Sequence, residues 1–288
     1  NRENVEWTSW SSADAVKLGW LNWGSQIRLK PMANLFSEKY QNAVRERMTT
    51  LLGTLSNWYK SLPENKKYLF GGVKITGELC MGLNNWYYTG GNELYDKPKE
   101  NDPTTGINMW NKPSRSRAAA GQPGAVSTIG YASVKSAGIK TEGTLTGADI
   151  EEMDRRFTLF VSDIALEYGF PRDKVFAHAG GADGDLAACV NEKVCPSWSL
   201  YHSEAMNPQS NSPYCMKLIR QSDAPAWGAA EWAVDGSAQD WTTALRNTFA
   251  VDRCRFISVY TNVIGNNNGT TVNDAAVQGI KTVQKDKY

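Results

Sequence analysis

Long apolar runs, clustered cations and nucleotide-binding signatures are all missing from this chain. No apolar stretch approaches the roughly 20 residues that cross a bilayer, so no membrane span is expected. The net charge is +1, and without a dense Lys/Arg cluster nothing supports a nucleic-acid partner. No GxGxxG follows a strand and no GxxxxGK[ST] occurs, so nucleotide binding has no support. There is no GxSxG nucleophile elbow either. Histidine is scarce: only His178 and His202 are present. With no CxxC and no His near a cysteine, zinc is not expected. The stretch 180–185, GGADGD, lacks the spacing of an EF-hand loop and reads as an active-site turn rather than a calcium site. No metal and no cofactor are expected.

What the chain does have is aromatic surface. Its 11 Trp and 12 Tyr outnumber its 8 Phe. Trp and Tyr combine a flat apolar face with a polar handle, which suits the CH faces and hydroxyl rims of sugars. Hydrophobic residues make up 41% and charged residues 21% of 288 residues, so a packed core is expected. Two disulfides are plausible on spacing, Cys189 with Cys195 and Cys215 with Cys254, against the alternative of buried free thiols. One glycosylation sequon stands at Asn268-Gly269-Thr270. Together these favour a secreted or extracellular glycoprotein. No leader is visible, and the chain opens on Asn1 rather than Met, as a processed or cut chain would.

Hydrophobic periodicity organises the rest. Residues 38–62 read as an amphipathic helix, with Tyr40, Val44, Met48, Leu51, Leu52 and Leu55 on one face, Ser37 as N-cap and Pro63 beyond the end. Residues 68–77 read as a buried strand ending at Glu78. A second helix is expected over 146–168. Strands follow at 174–177, 198–201 and 224–230, then a helix at 239–250, a strand at 255–260 and a closing helix at 272–283. This alternation favours a parallel sheet covered by helices. The whole chain reads as one catalytic-type domain, 1–288. Within it lie a Trp-rich segment, 1–37, the strands and helices of 38–285, and a long polar loop, 90–127, placed as a cleft wall.

Each strand candidate ends in polar or aromatic residues, as on the catalytic face of an α/β barrel. A Glu closes ITGE (Glu78) and another closes AAEW (Glu231). In this the chain resembles the clan of retaining glycoside hydrolases built on a (β/α)8 barrel. Its acid/base follows strand four and its nucleophile strand seven. With RFISVY as strand eight, AAEW is seven, SWSLY six, KVFAH five and LFGGVKITG four. The resemblance is architectural and covers about 38–285. It departs from the clan at Gly77, where an Asn often precedes the acid/base. It also lacks three visible first strands: these would be absent, supplied by another chain or by a missing N-terminal part of the same barrel, or hidden in 1–37. The resemblance implies a TIM (β/α)8 barrel, truncated at its start.

The resemblance implies cleavage of a β-linked glycan with retention, Glu78 acting as acid/base and Glu231 as nucleophile. The substrate partner would be an oligosaccharide or polysaccharide. Retention requires the two carboxyl groups roughly 5–5.5 Å apart. Glu204, just past the sixth strand, is the rival carboxylate. His178, His202, Tyr260 and Asn262 stand at strand ends as sugar contacts, and Trp86, Tyr87, Trp110 and Trp232 are candidate stacking platforms. The competing readings are a non-catalytic carbohydrate-binding or extracellular structural barrel, and a lyase using His202 or Tyr201 as base.

Overall fold

The computed structural model describes residues 1–23, 25–79, 81, 85–102, 126–180, 183–260 and 273–287. They form two compact units, Asn1–Leu51 with Cys80–Phe157 and Leu52–Leu79 with Thr158–Tyr288. Of the three boundaries, Leu51/Leu52 and Phe157/Thr158 fall inside the two longest helices, α1 (Glu38–Ser61) and α3 (Gly147–Glu167), and the third lies between Leu79 and Cys80.

In the first unit, β1 (Gly19–Trp23) and β2 (Ser25–Leu29) make an antiparallel hairpin, with Leu21 opposite Ile27. The order β2-β1-β4-β5 adds β4 (Asn85–Tyr88) and the two-residue β5 (Val126–Ser127), with β1–β4 and β4–β5 both antiparallel. Trp20 is fully buried here, packs edge-on against Tyr88 and donates its indole N–H to Asp102 at 2.8 Å. The buried Arg28 donates to the carbonyls of Leu94, Tyr95 and Lys97. The short helix α2 (Tyr131–Ser136) starts at the buried carboxylate of Glu6.

The second unit holds the parallel sheet, in the order β3-β6-β7-β8-β9. Its strands are β3 (Val73–Lys74), β6 (Val175–Ala179), β7 (Cys195–Tyr201), β8 (Trp227–Ala233) and β9 (Cys254–Val259). All four neighbour pairs run parallel, and the sheet curls as half of a barrel. Between strands lie α4 (Asp183–Ala187), α5 (Ser203–Met206), α6 (Pro208–Asn211), α7 (Pro213–Gln221) and α8 (Ala238–Phe249), and α9 (Asp274–Lys287) follows β9. Side chains alternate along a strand, and here the two faces differ. Trp198 and Trp227 pack together on one face, and Trp232 meets Trp241 of α8 edge-on. Phe176, Cys195, Ala226 and Phe256 cluster on the other. Helix α8 starts at a reciprocal cap between Ser237 and Asp240, which satisfies first-turn N–H groups that no helix can bond internally.

The expected (β/α)8 barrel is not formed. The described residues show five parallel strands and a separate antiparallel sheet, with no closed eight-stranded ring. The described strands of residues 1–37 do not join the parallel sheet: they pair with each other and, through β1, with β4. The strand expected at 68–77 shrinks to Val73–Lys74. Glu64–Leu69 is a 3-10 helix, leaving Tyr68 and Leu69 exposed, and Gly72 at φ 142° separates it from the strand. The expected disulfides are also absent: Cys189, Cys195, Cys215 and Cys254 are not disulfide-bonded. Cys195 opens β7 toward Phe176 and Phe256, while the Cys189 thiol donates to the Leu186 carbonyl at 3.2 Å. Among the described residues no helix is long and apolar enough to cross a membrane.

Candidate functional site

The polar side chains of the second unit gather at the carboxyl ends of its parallel strands, the usual ligand-binding edge of such sheets. The register shows how. Phe176 pairs with Cys195, His178 with Ser197, and Ser199 with Glu231. Stepping by two along β6 and β7, the same face runs from Phe176 to His178 and from Cys195 through Ser197 and Ser199 to Tyr201. An apolar plug therefore fills the lower part of the concave face, and a polar layer lies on top of it.

Glu78 and Glu231, remote in sequence, meet in that layer through two bridging side chains. Ser199 donates its hydroxyl to Glu78 Oε1 at 2.7 Å. Tyr201, two residues on, donates to Glu231 Oε2. The Tyr201 phenol is pushed well above its ordinary pKa, first by burial, then by the bond to Glu231 and its charge, and further by the charge of Glu78; a bond with Ser199 acts the other way. Both carboxylates thus act on one hydroxyl. Gly180 makes room for the first of them: a Cβ there would lie 3.0–3.1 Å from Glu78 Cδ, Cγ and Cβ.

His178 is 2% exposed. Its Nε2 lies 3.0 Å from Ser199 Oγ and its Nδ1 3.3 Å from Lys74 Nζ. Thr76 clamps its backbone, exchanging hydrogen bonds with the peptide N–H and C=O. Burial first, then the Lys74 charge, lowers the imidazole pKa to about 3. The ring is neutral across the physiological range. The Ser–His contact is not that of a hydrolase nucleophile, whose base needs a pKa near the working pH and an acid behind it. Here a cation stands behind the ring.

The other expected contacts are dispersed. His202 is exposed, with Nδ1 2.6 Å from Asp235 Oδ2. Its backbone is at φ 50° and ψ −113°, a region L residues avoid. Glu204, in the first turn of α5, accepts from the Tyr201 N–H at 3.5 Å, and so supports Tyr201 rather than joining the pair. Tyr260 is 41% exposed and stands edge-on to Tyr201 at 6.3 Å. Trp232 is no platform: it is fully buried, with its indole N–H donated to Thr248 at 3.1 Å. Trp86 and Tyr87 are buried in β4 of the first unit. Trp110, Asn262, Cys80 and the sequon at Asn268 lie outside the described residues.

Ser199, Lys74 and Thr76 were not singled out as site residues, Tyr201 was weighed only as a lyase base, and Gly180 only as part of the turn at 180–185. A signal for two of them was present. Ser197, Ser199 and Tyr201 alternate with Trp198 and Leu200, a polar stripe on one face of an otherwise buried strand. Among the described residues, no group of three or more His, Cys, Asp or Glu side chains is placed to hold a metal ion.

Comparisons with protein-family models, with curated proteins and with solved structures find no match to this chain.

Proposed function

We propose that the second unit is a retaining glycoside hydrolase site acting on a β-linked glycan. The observation that carries this is the shared phenol: Glu78 and Glu231, from opposite ends of the sequence, both act on Tyr201 at the carboxyl edge of a parallel sheet. Two neighbouring carboxyl groups with different partners are what retaining hydrolysis requires.

In the first step Glu231 Oε1 attacks the anomeric carbon. The glycosidic C–O bond breaks, and the proton of Glu78 goes to the departing oxygen. Water then attacks the anomeric carbon, Glu78 takes its proton, and the bond to Glu231 breaks. The Tyr201 hydroxyl on Oε2 orients the nucleophile and leaves Oε1 for attack. Tyr260 offers an exposed ring beside this point. The same rim could hold a sugar without cleaving it, since each carboxylate is already hydrogen-bonded.

The test is covalent trapping with 2-deoxy-2-fluoro-β-glycosyl fluorides of gluco, galacto, manno and xylo configuration, read by intact mass and peptide mapping. The expected result is one glycosyl adduct on Glu231, absent in Glu231→Gln and longer-lived in Glu78→Gln, which lacks the base for the water step. An adduct on another residue, or none with any of the four, overturns the proposal. Glycan binding without an adduct selects the non-catalytic reading.

A further inference from the structure

Glu78, Ser199, His178 and Lys74 form a continuous line of hydrogen bonds, and the chemistry of each group fixes the direction of that line. A lysine ammonium has protons and no lone pair, so it can only donate. His178 Nδ1, 3.3 Å from Lys74 Nζ, must therefore accept. The neutral ring then carries its one proton on Nε2, which faces Ser199 Oγ at 3.0 Å. Ser199 accepts that proton's hydrogen bond, and its own single proton goes to Glu78 Oε1 at 2.7 Å. A transferable proton on Glu78 is thereby confined to Oε2.

We infer that Lys74, His178 and Ser199 are a one-way relay that sets which oxygen of Glu78 carries its proton, and that Lys74 sets its direction. They are positioning residues, because none of them need touch the sugar. The inference rests on Glu78 being the acid/base of the proposed reaction, but the relay itself belongs to the folded protein and can be read without substrate. Among the described residues, His178 meets Lys74 from β3 and Ser199 from β7, with Thr76 on its backbone. Glu78 meets Ser199, its charge acts on Tyr201, also of β7, and the Tyr201 hydroxyl is itself bonded to Ser199.

The experiment uses the intact protein labelled with 15N-histidine and 13C-glutamate. With only two histidines, ring 15N resonances are assignable by comparison with His202→Gln. The expected wild-type result is an Nε2–H tautomer at His178 that takes up no second proton above pH 5. In Lys74→Met the ring proton should move to Nδ1, and Ser199 should turn its hydroxyl to Nε2. Glu78 then loses a bond that favours its ionised form, so its proton affinity rises about tenfold. Ser199→Ala should give the same rise, and Lys74→Met should add nothing in the Ser199→Ala background. Lys74→Arg should restore the wild-type tautomer.

An Nδ1–H tautomer in the wild-type protein overturns the relay. So does a Lys74→Met effect on Glu78 that persists in Ser199→Ala, since that would be charge acting through space. Failure of the fluoroglycoside trap would remove the glycosidase reading and leave these resonances unchanged, so the two failures are distinguishable.

Discussion

Glu6 should make the first unit more stable in mild acid than at neutral pH. Its side chain is fully buried and accepts hydrogen bonds from the N–H groups of Ala132 at 3.2 Å and Ser133 at 3.1 Å, and from the Ser133 hydroxyl. Those bonds favour the carboxylate, but burial outweighs them and raises the pKa from 4.5 to about 7. Between these two values the folded protein holds a proton that the unfolded chain has released. The stability Glu6 contributes is therefore complete below pH 4.5 and lost as pH rises through 7. The gap is 7 − 4.5 = 2.5 units, which at 1.36 kcal/mol per unit is about 3 kcal/mol. Amide exchange at Ala132 and Ser133, the donors themselves, gives the opening free energy at pH 4.5 and pH 8. The wild-type protein should lose about 3 kcal/mol more across that range than Glu6→Gln. Gln lacks one acceptor and should be weaker by a constant amount, so the comparison is of slopes. Equal slopes, or a Glu6 carboxyl that titrates below pH 5, would refute the reasoning.

Two further outcomes concern the site. Gly180→Ala places a Cβ 3.0–3.1 Å from three Glu78 carbons, so Glu78 must shift by a few tenths of an ångström; hydrolysis of the trapped adduct should slow about tenfold with an unchanged fold, since misplacement of about 1 Å costs roughly a hundredfold. His202→Gly should raise the unfolding free energy by about 1 kcal/mol: relief of φ 50°, ψ −113° is worth about 1–3 kcal/mol, against at most about 1 kcal/mol for the exposed pair with Asp235. A loss of stability in urea melts would show that the pair outweighs the strain.

Much of the second unit could be read from its residues. KVFAH, SWSLY and WGAAEWA are apolar runs of strand length between helical patterns, and each is a strand. Helix α1 begins where Ser37 and the apolar spacing put it, and Ser37 Oγ accepts from the Tyr40 N–H at 3.3 Å. The bounds at β8 moved because WGAAEWA continues past Glu231: that side chain lies within the strand, not after it. The first unit was not legible in the same way. Trp20 and Trp23 sit in a segment with no long apolar run, and β1 and β2 are fixed by pairing with each other. The segment lacks the periodicity by which longer strands and helices are recognised, and short antiparallel strands often lack it. Tyr68 and Leu69 misled in the opposite sense. They look like the start of a buried strand, yet Gly71-Gly72 uncouples them from it and they face solvent.

Glu78 and Glu231 are linked through Ser199 and Tyr201 without a closed barrel. Four adjacent strands suffice. In a parallel sheet, neighbouring residues in register lie about 4.8 Å apart, so β3, β6, β7 and β8 span the site with β6 and β7 inside it. An inner strand is where the bridging residues have to be, and Ser199 and Tyr201 are on β7, one turned to each glutamate. The curl of the sheet brings its outer members toward each other over the face that holds Phe176 and Phe256. Flattening that face would separate the carboxylates without touching either. The apolar plug beneath the polar layer is therefore as much a part of the site as the residues that line it.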